Sequence, residues 1–300
     1  MEELSLKKVI REDSCNEHTV HMNIDLTGDT ENEEPFISVI IPAFNEERRL
    51  PPTLLDTIDF LDDFGQDYEV IVVDDGSSDE TSTVVQKFEK IRRQVRLIRL
   101  PKNYGKGHAV RTGALNAHGR LILFTDADGS TPIAEVKRLI AAIDSGADVA
   151  IGSRAMQSEE TEVQALLFRK IIGRIFNRIV NIILLPKIAD TQCGFKLFSQ
   201  KAASFLFLHQ TSDGFSFDIE LLFLARKSNI VVKEVPINWQ NIPGSKVNLV
   251  TDSVKMFIDI FRFAWLHRGI QPKSFQEMAD SNDPSTDENS PSSLNETLTS

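Results

Sequence analysis

Short, mostly apolar runs recur between residues 36 and 151, and four of the five end in a polar cluster. Phe36 to Pro42, Tyr68 to Val73, Val95 to Leu100, Leu121 to Phe124 and Ala147 to Ile151 read as strands. Leu121 to Phe124 is continuously apolar over so few residues, which suits a strand covered on both faces. Between them the spacing predicts helices over Leu54 to Phe64, stopped by Gly65, and over Glu80 to Arg92, with Asp79 as cap. A third opens at Gly105-Lys106-Gly107 and runs to His118, and a fourth covers Pro132 to Asp144. Strand and helix alternate through short loops, which predicts an α/β fold with a right-handed, mainly parallel, doubly wound sheet.

Parallel strands deliver the residues that follow them to one edge, where open α/β sheets bind ligands. Four strands are followed by Asn45/Glu46, Asp74/Asp75, Asp126/Asp128 and Ser153/Arg154. One such cluster is a turn, whereas four on one edge predict a ligand site. Two residues apart in extended chain, Asp126 and Asp128 leave from the same side. Paired hard carboxylates suit Mg²⁺ or Mn²⁺ bridging a diphosphate. The same two residues equally suit turn and cap positions ahead of the helix at Pro132. Two other uses of such a sheet are disfavoured. Pro42-Ala-Phe-Asn-Glu-Glu47 stands where a dinucleotide site needs G-x-G-x-x-G, and Gly105-Lys106-Gly107-His108 does not match G-x-x-x-x-G-K-[ST].

The formal charge of −11 belongs to the ends. Residues 1–35 hold ten acidic and three basic side chains and residues 272–300 six and one, against 44 and 33 in the chain. The middle is therefore close to neutral and argues neither for nor against a polyanion; no nucleic-acid partner is expected. Residues 1–34 and 272–300 read as acidic, disordered tails around a domain over 35–271. Two cysteines make no disulfide framework and suit a reducing, cytoplasmic setting. With no signal peptide and no stretch apolar enough to span a bilayer, membrane contact is expected to be peripheral, on the cytosolic face.

Two segments suit such contact. Residues 163–187 carry Arg169, Lys170, Arg174, Arg178 and Lys187 among apolar residues, with no acidic side chain. That composition fits a basic amphipathic helix on an anionic surface, or a core-packing helix with a solvated basic face. Residues 254–268 offer Phe261, Phe263 and Trp265 beside Arg262 and Arg268, which fit a headgroup boundary or a core.

The chain resembles the family 2 glycosyltransferases of GT-A fold, and most nearly the dolichyl-phosphate β-glucosyltransferases, with the dolichyl-phosphate mannose synthases as relatives. The resemblance runs from Ile37 to Gly269. It is carried by Ile41-Pro-Ala-Phe-Asn-Glu-Glu47, Val73-Asp-Asp-Gly-Ser-Ser-Asp79, Asn103-Tyr-Gly-Lys-Gly107, Asp126-Ala-Asp-Gly129 and Gly152-Ser-Arg154. The narrower segments are Asp190-Thr-Gln-Cys-Gly-Phe-Lys196, Asp213-Gly-Phe-Ser-Phe-Asp-Ile-Glu220 and Pro243-Gly-Ser-Lys246.

The resemblance implies a doubly wound, mainly parallel nucleotide-diphospho-sugar transferase sheet with C-terminal amphipathic helices. It implies inverting, metal-dependent transfer of glucose from UDP-glucose to a polyprenyl, dolichyl-type phosphate. Another sugar nucleotide, a hydroxyl acceptor, or sugar-nucleotide binding without turnover are the rival readings. Pro42, Phe44 and Glu46 would line the nucleobase and ribose pocket, with Asp74 and Asp75 at the base. Asp126 and Asp128 would hold the metal and the diphosphate, and Lys106, in a glycine-rich turn at a helix N-terminus, would add positive charge there. Ser153, Arg154, Arg169 and Lys246 are the candidates for the acceptor phosphate, since guanidinium forks match phosphate oxygens. A lipid phosphate is already anionic and needs no general base, so Asp218 is expected to position rather than to abstract a proton. The mannose synthases carry Gln where this chain has Ser130, which favours the glucosyl branch. Cys193 is expected to be a packing residue, and the histidines show no metal spacing.

Overall fold

A computed structural model describes residues 34–156, 163–164, 188–242, 249–272 and 275–276. The acidic ends, most of the basic segment 163–187, Arg169 and Lys246 lie outside the described residues.

The chain enters through β1 (Ile37–Ala43), α1 (Leu50–Phe64), β2 (Tyr68–Asp74), α2 (Thr81–Ile91), β3 (Val95–Arg99), α3 (Lys106–Leu115) and β4 (Leu121–Thr125). A 3-10 turn and α4 (Val136–Asp144) lead to β5 (Val149–Ser153). Beyond the two-residue β6 (Val163–Gln164) come β7 (Phe195–Ser199), α5 (Gln200–His209), α6 (Phe217–Lys227), β8 (Val232–Pro236), β9 (Trp239–Gln240) and α7 (Leu249–Leu266). The order across the seven-stranded sheet is β3-β2-β1-β4-β7-β5-β8, and β6 pairs with β9 apart from it.

The five strands expected from apolar runs are present, and local chemistry explains most boundaries. Pro51 and Pro52 fit the first turn of α1, where their missing N–H groups cost nothing, so that helix starts at Leu50 rather than Leu54. Gly65 closes it in the left-handed region at φ 71°. α2 starts at Thr81 with Glu80, not the expected Asp79, at its N-cap position; Asp79 stands one residue earlier, its Oδ1 accepting the Thr81 N–H at 3.0 Å. The helix from Gly105 ends at Leu115, short of the His118 expected. The fifth strand lies two residues later than expected and takes Ser153 into the sheet.

One strand departs from the expected alternation. β7 is antiparallel and sits between β4 and β5, with Phe124 opposite Lys196 and Ile151 opposite the same lysine. All other pairings in this sheet are parallel. An antiparallel strand starts at the edge where its parallel neighbours end. The segment before β7, Asp190 to Gly194, therefore arrives at the same edge as Asp126 and Arg154.

Both faces of the sheet are covered, as continuous apolar strands require. Ile40, Ile71, Val73, Ile122 and Phe124 pack with residues of α3, α5 and α6. Val39, Ile41, Val70, Val72 and Leu123 pack with residues of α1, α2 and α4. Phe275, beyond the expected boundary at 271, is buried and meets the Phe205 ring edge-on at 5.5 Å.

Candidate active site

The loop after β2 is held from within. Asp74 is fully buried; its Oδ1 accepts the Ser77 N–H at 2.9 Å, and its Oδ2 accepts a short bond from the Ser82 hydroxyl. Asp75 accepts the N–H groups of Tyr104 and Gly105, both at 2.8 Å. These two aspartates thus shape the loop after β2 and aim the turn ahead of α3. Burial pushes the Asp75 carboxyl up, against the opposing pull of those two N–H groups. Pro42 is buried at the end of β1, and Phe44 beside it is half-buried. The Glu46 carboxylate takes a two-pronged bond from Arg49, at 2.7 and 2.6 Å.

Arg49 was not singled out by the sequence, yet it joins two candidate regions. Its Nη1 also lies 3.8 Å from Asp128 Oδ2. Asp128 Oδ1 accepts the Ser130 N–H at 3.0 Å. The turn-forming and the ligand-facing readings of Asp128 therefore coexist, one on each oxygen. Ser130 is buried, and its carbonyl accepts from Gln240 of β9 at 2.9 Å.

Asp126 pairs with Lys106, Nζ to Oδ1 at 2.6 Å. Gly105 and Gly107 bracket the lysine because the loop from Ser212 to Gly214 presses on them; a Cβ at either glycine would collide with its backbone. That loop is pinned in turn by Glu220, fully buried. Its carboxylate accepts from the Ser212 N–H at 2.7 Å and the Thr211 hydroxyl at 2.6 Å, and meets His267 Nε2 at 2.7 Å.

Lys196 is fully buried under the Phe124 ring and forms a short ion pair with Asp218; it also donates to the Cys193 carbonyl at 2.5 Å. Burial raises the Asp218 carboxyl pKa, with Lys196 and Lys106 pulling the other way. Burial likewise disfavours the Lys106 charge, but Asp126 and then Asp218 outweigh it and raise that pKa. The chain thus places carboxylates and ammonium groups alternately: Asp126, Lys106, Asp218, Lys196.

On the β5 side the Arg154 guanidinium is engaged. Its Nε and Nη2 donate to the two oxygens of buried Asp190 at 2.7 and 2.8 Å, and it covers the Trp239 ring at 5.5 Å. Burial pushes Asp190 up, but Arg154 prevails and holds its carboxyl below the ordinary range. The Ser153 side chain is buried and accepts from the Met156 N–H at 3.3 Å. Cys193 is buried, and burial pushes its thiol up to about 12, as suits a packing residue.

Of the expected site residues, Lys106, Asp126, Asp218, Asp128 and Glu46 are joined in one electrostatic cluster. Asp74, Asp75 and Ser153 are buried supports. Arg49, Asp190, Gly194, Lys196 and Glu220 are additions. Four of these five lay inside segments already quoted, but their roles depend on partners far along the chain.

A divalent cation fits this donor set. Asp126 and Asp128 supply hard oxygens, and each side chain is partly exposed. No group of three or more His, Cys, Asp or Glu that could hold a metal occurs among the described residues. Two carboxylates leave most of the coordination shell to water and diphosphate, the usual arrangement for Mg²⁺.

The model for glycosyl transferase family 2 matches residues 38–207. The chain belongs to that family. It is a glycosyltransferase. Its sequence is 39% identical to dolichyl-phosphate beta-glucosyltransferase of Saccharomyces cerevisiae over 81% of this chain and 78% of the relative. Against the Homo sapiens dolichyl-phosphate beta-glucosyltransferase, identity is 39% over 70% and 69%. Among solved structures, glucosyl-3-phosphoglycerate synthase from Mycobacterium tuberculosis, in complex with UDP, superposes with a TM-score of 0.57 at 19% identity, covering 76% of this chain and 80% of that one. A further structure of that synthase, with Mn²⁺ and UDP-glucose, gives 0.55. In this family 2 glycosyltransferase the GT-A sheet expected from the resemblance is present, with β7 as its antiparallel member.

Proposed function

We propose that this glycosyltransferase moves glucose from UDP-glucose to a dolichyl-type polyprenyl phosphate, with inversion, at a membrane surface. The donor, lipid and sugar follow the names of its curated relatives and the ligands of the mycobacterial synthase. The observation that carries the acceptor class is the Asp218–Lys196 pair. Transfer to a hydroxyl calls for a carboxylate free to take its proton. Asp218 is buried and already neutralised by Lys196. A phosphate acceptor arrives as an anion and needs no such base.

In this reading an acceptor phosphate oxygen attacks the anomeric carbon from the face opposite UDP. The new C–O bond forms as the bond to the diphosphate breaks, and UDP leaves with the electron pair. Pro42, Phe44 and Glu46 line the nucleoside pocket, on walls built by Asp74 and Asp75. Asp126 and Asp128 would hold Mg²⁺ or Mn²⁺, which would supply positive charge for the departing diphosphate. Lys106 adds positive charge beside it. Arg154, oriented by Asp190, is assigned with Arg169 and Lys246 to the acceptor phosphate, and Ser153 supports the turn that carries Arg154.

Contact with the lipid surface is assigned to residues 163–187 and to α7. On α7, Phe257, Ile258, Phe261, Trp265 and Leu266 are exposed, while Met256, Phe263 and the following His267 face inward. Arg268 stacks on Trp265 at 4.6 Å. An aromatic face edged by arginine suits a headgroup boundary. No described helix is long and apolar enough to cross a membrane. The cytosolic face of the membrane is the setting proposed for this contact.

The test is transfer of label from radiolabelled UDP-glucose into an organic-extractable product. Label enters the lipid phase only when polyprenyl phosphate and Mg²⁺ or Mn²⁺ are both added. UDP release with a hydroxyl acceptor and no lipid label would overturn the proposal.

A further inference from the structure

Resting on the metal-site reading above, we infer that Lys106 is a resident counter-ion of Asp126 that a divalent cation must displace. Cation uptake is thereby coupled to the diphosphate that receives the lysine.

The argument starts from charge balance. Asp126, Asp128, Asp218 and Glu46 face Lys106, Arg49 and Lys196, four anions against three cations. The cluster carries one net negative charge before any ligand arrives, half of what a divalent cation needs. A divalent cation bound at Asp126 and Asp128 alone would bring two positive charges beside an ammonium 2.6 Å from one of its own ligand atoms. At partly buried sites like charges at such range repel strongly. The diphosphate of a sugar nucleotide supplies the missing negative charge and gives the ammonium a new partner.

Two features let Lys106 change partner where its neighbours stay fixed. Lys196 is fully buried and tied to both Asp218 and the Cys193 carbonyl. Arg49 is held two-pronged by Glu46. The Lys106 side chain is a quarter exposed, its hydrogen-bond partner among the described residues is Asp126, and it stands in the first turn of α3, where a diphosphate would meet backbone N–H groups. An unbranched ammonium with rotatable donors suits such an exchange better than a forked guanidinium. By linkage, whatever factor the nucleotide adds to cation affinity, the cation adds to nucleotide affinity.

The experiment measures Mn²⁺ binding to the full chain by electron paramagnetic resonance of free Mn²⁺, with and without UDP, and needs no turnover. In the wild type UDP should tighten Mn²⁺ binding at least tenfold. In Lys106→Met, Mn²⁺ alone should bind at least tenfold more tightly than in the wild type, and the effect of UDP should shrink by the same factor. Lys106→Arg, which keeps the charge, should bind Mn²⁺ alone as weakly as the wild type. Equal Mn²⁺ affinity of wild type and Lys106→Met without UDP overturns the inference and leaves the metal site standing. So does a wild type in which UDP changes nothing, a measurement that does not depend on the variant folding. A wild type that takes up no Mn²⁺ even with UDP overturns the metal-site reading, and the inference falls with it.

Discussion

Gly194 lies directly against the carboxylate of Asp126: a methyl group added at Gly194 would overlap Oδ2, while the Gly194 carbonyl accepts the Asp126 N–H at 3.1 Å. The glycine is required by close approach. The antiparallel entry of β7 presses its first residues onto the end of β4, and only a residue without Cβ leaves the carboxylate in place.

Gly194→Ala should therefore move Asp126 without dismantling the sheet. Misplacing a catalytic group by about an ångström costs on the order of 10²-fold in rate. Transfer kinetics should show a loss of about that size, with the circular dichroism spectrum unchanged. Wild-type turnover in the alanine variant would show that the Asp126 position does not limit the reaction.

The Asp190–Arg154 pair sets a pH dependence. Arg154 holds the folded Asp190 carboxyl below its ordinary value of 3.8, despite the opposing effect of burial. The unfolded chain thus binds the proton more readily, and stability rises with pH across the window between the lowered value and 3.8. The contribution is present in full above that window and is lost as pH falls through it. Chemical denaturation between about pH 5 and 2 should give a shallower loss of stability in Asp190→Asn than in the wild type. Parallel slopes would mean that Asp190 does not carry the acid sensitivity.

The exposed face of α7 predicts a separation of binding functions. Phe257 and Phe261 meet edge-on at 5.5 Å, and Trp265 continues the stripe one turn on. Replacing Phe261 and Trp265 together with Glu should weaken sedimentation with anionic vesicles by roughly tenfold or more, since it removes apolar contact and adds like charge. UDP binding in solution should not change, because both side chains are exposed on α7. Undiminished vesicle binding would assign the lipid contact elsewhere.

Much of this architecture was legible in local sequence. Five of the six parallel strands announce themselves as short, mostly apolar runs, because a strand covered on both faces needs no alternation. Their polar ends fall on one edge because parallel direction and handedness leave no other arrangement. Gly65 and the Pro51-Pro52 pair act within a few residues of themselves, so their roles follow from backbone chemistry alone. The glycosyltransferase family was readable for the same reason, its motifs being the loops that those strands carry.

What tertiary structure alone decided are the partners. Nothing in Phe195-Lys-Leu-Phe-Ser199 marks a buried central strand, since Lys196 reads as a surface residue until Asp218, 22 positions away, neutralises it. Arg154 looks like a free guanidinium until β7 delivers Asp190 to its side, 36 positions on. Glu220 resembles an ordinary first-turn acid of α6 until Thr211, Ser212 and His267 close around it. Charge and hydrogen-bond pairing act through space over a few ångströms, and a linear pattern carries no record of which distant residue the fold will bring that close.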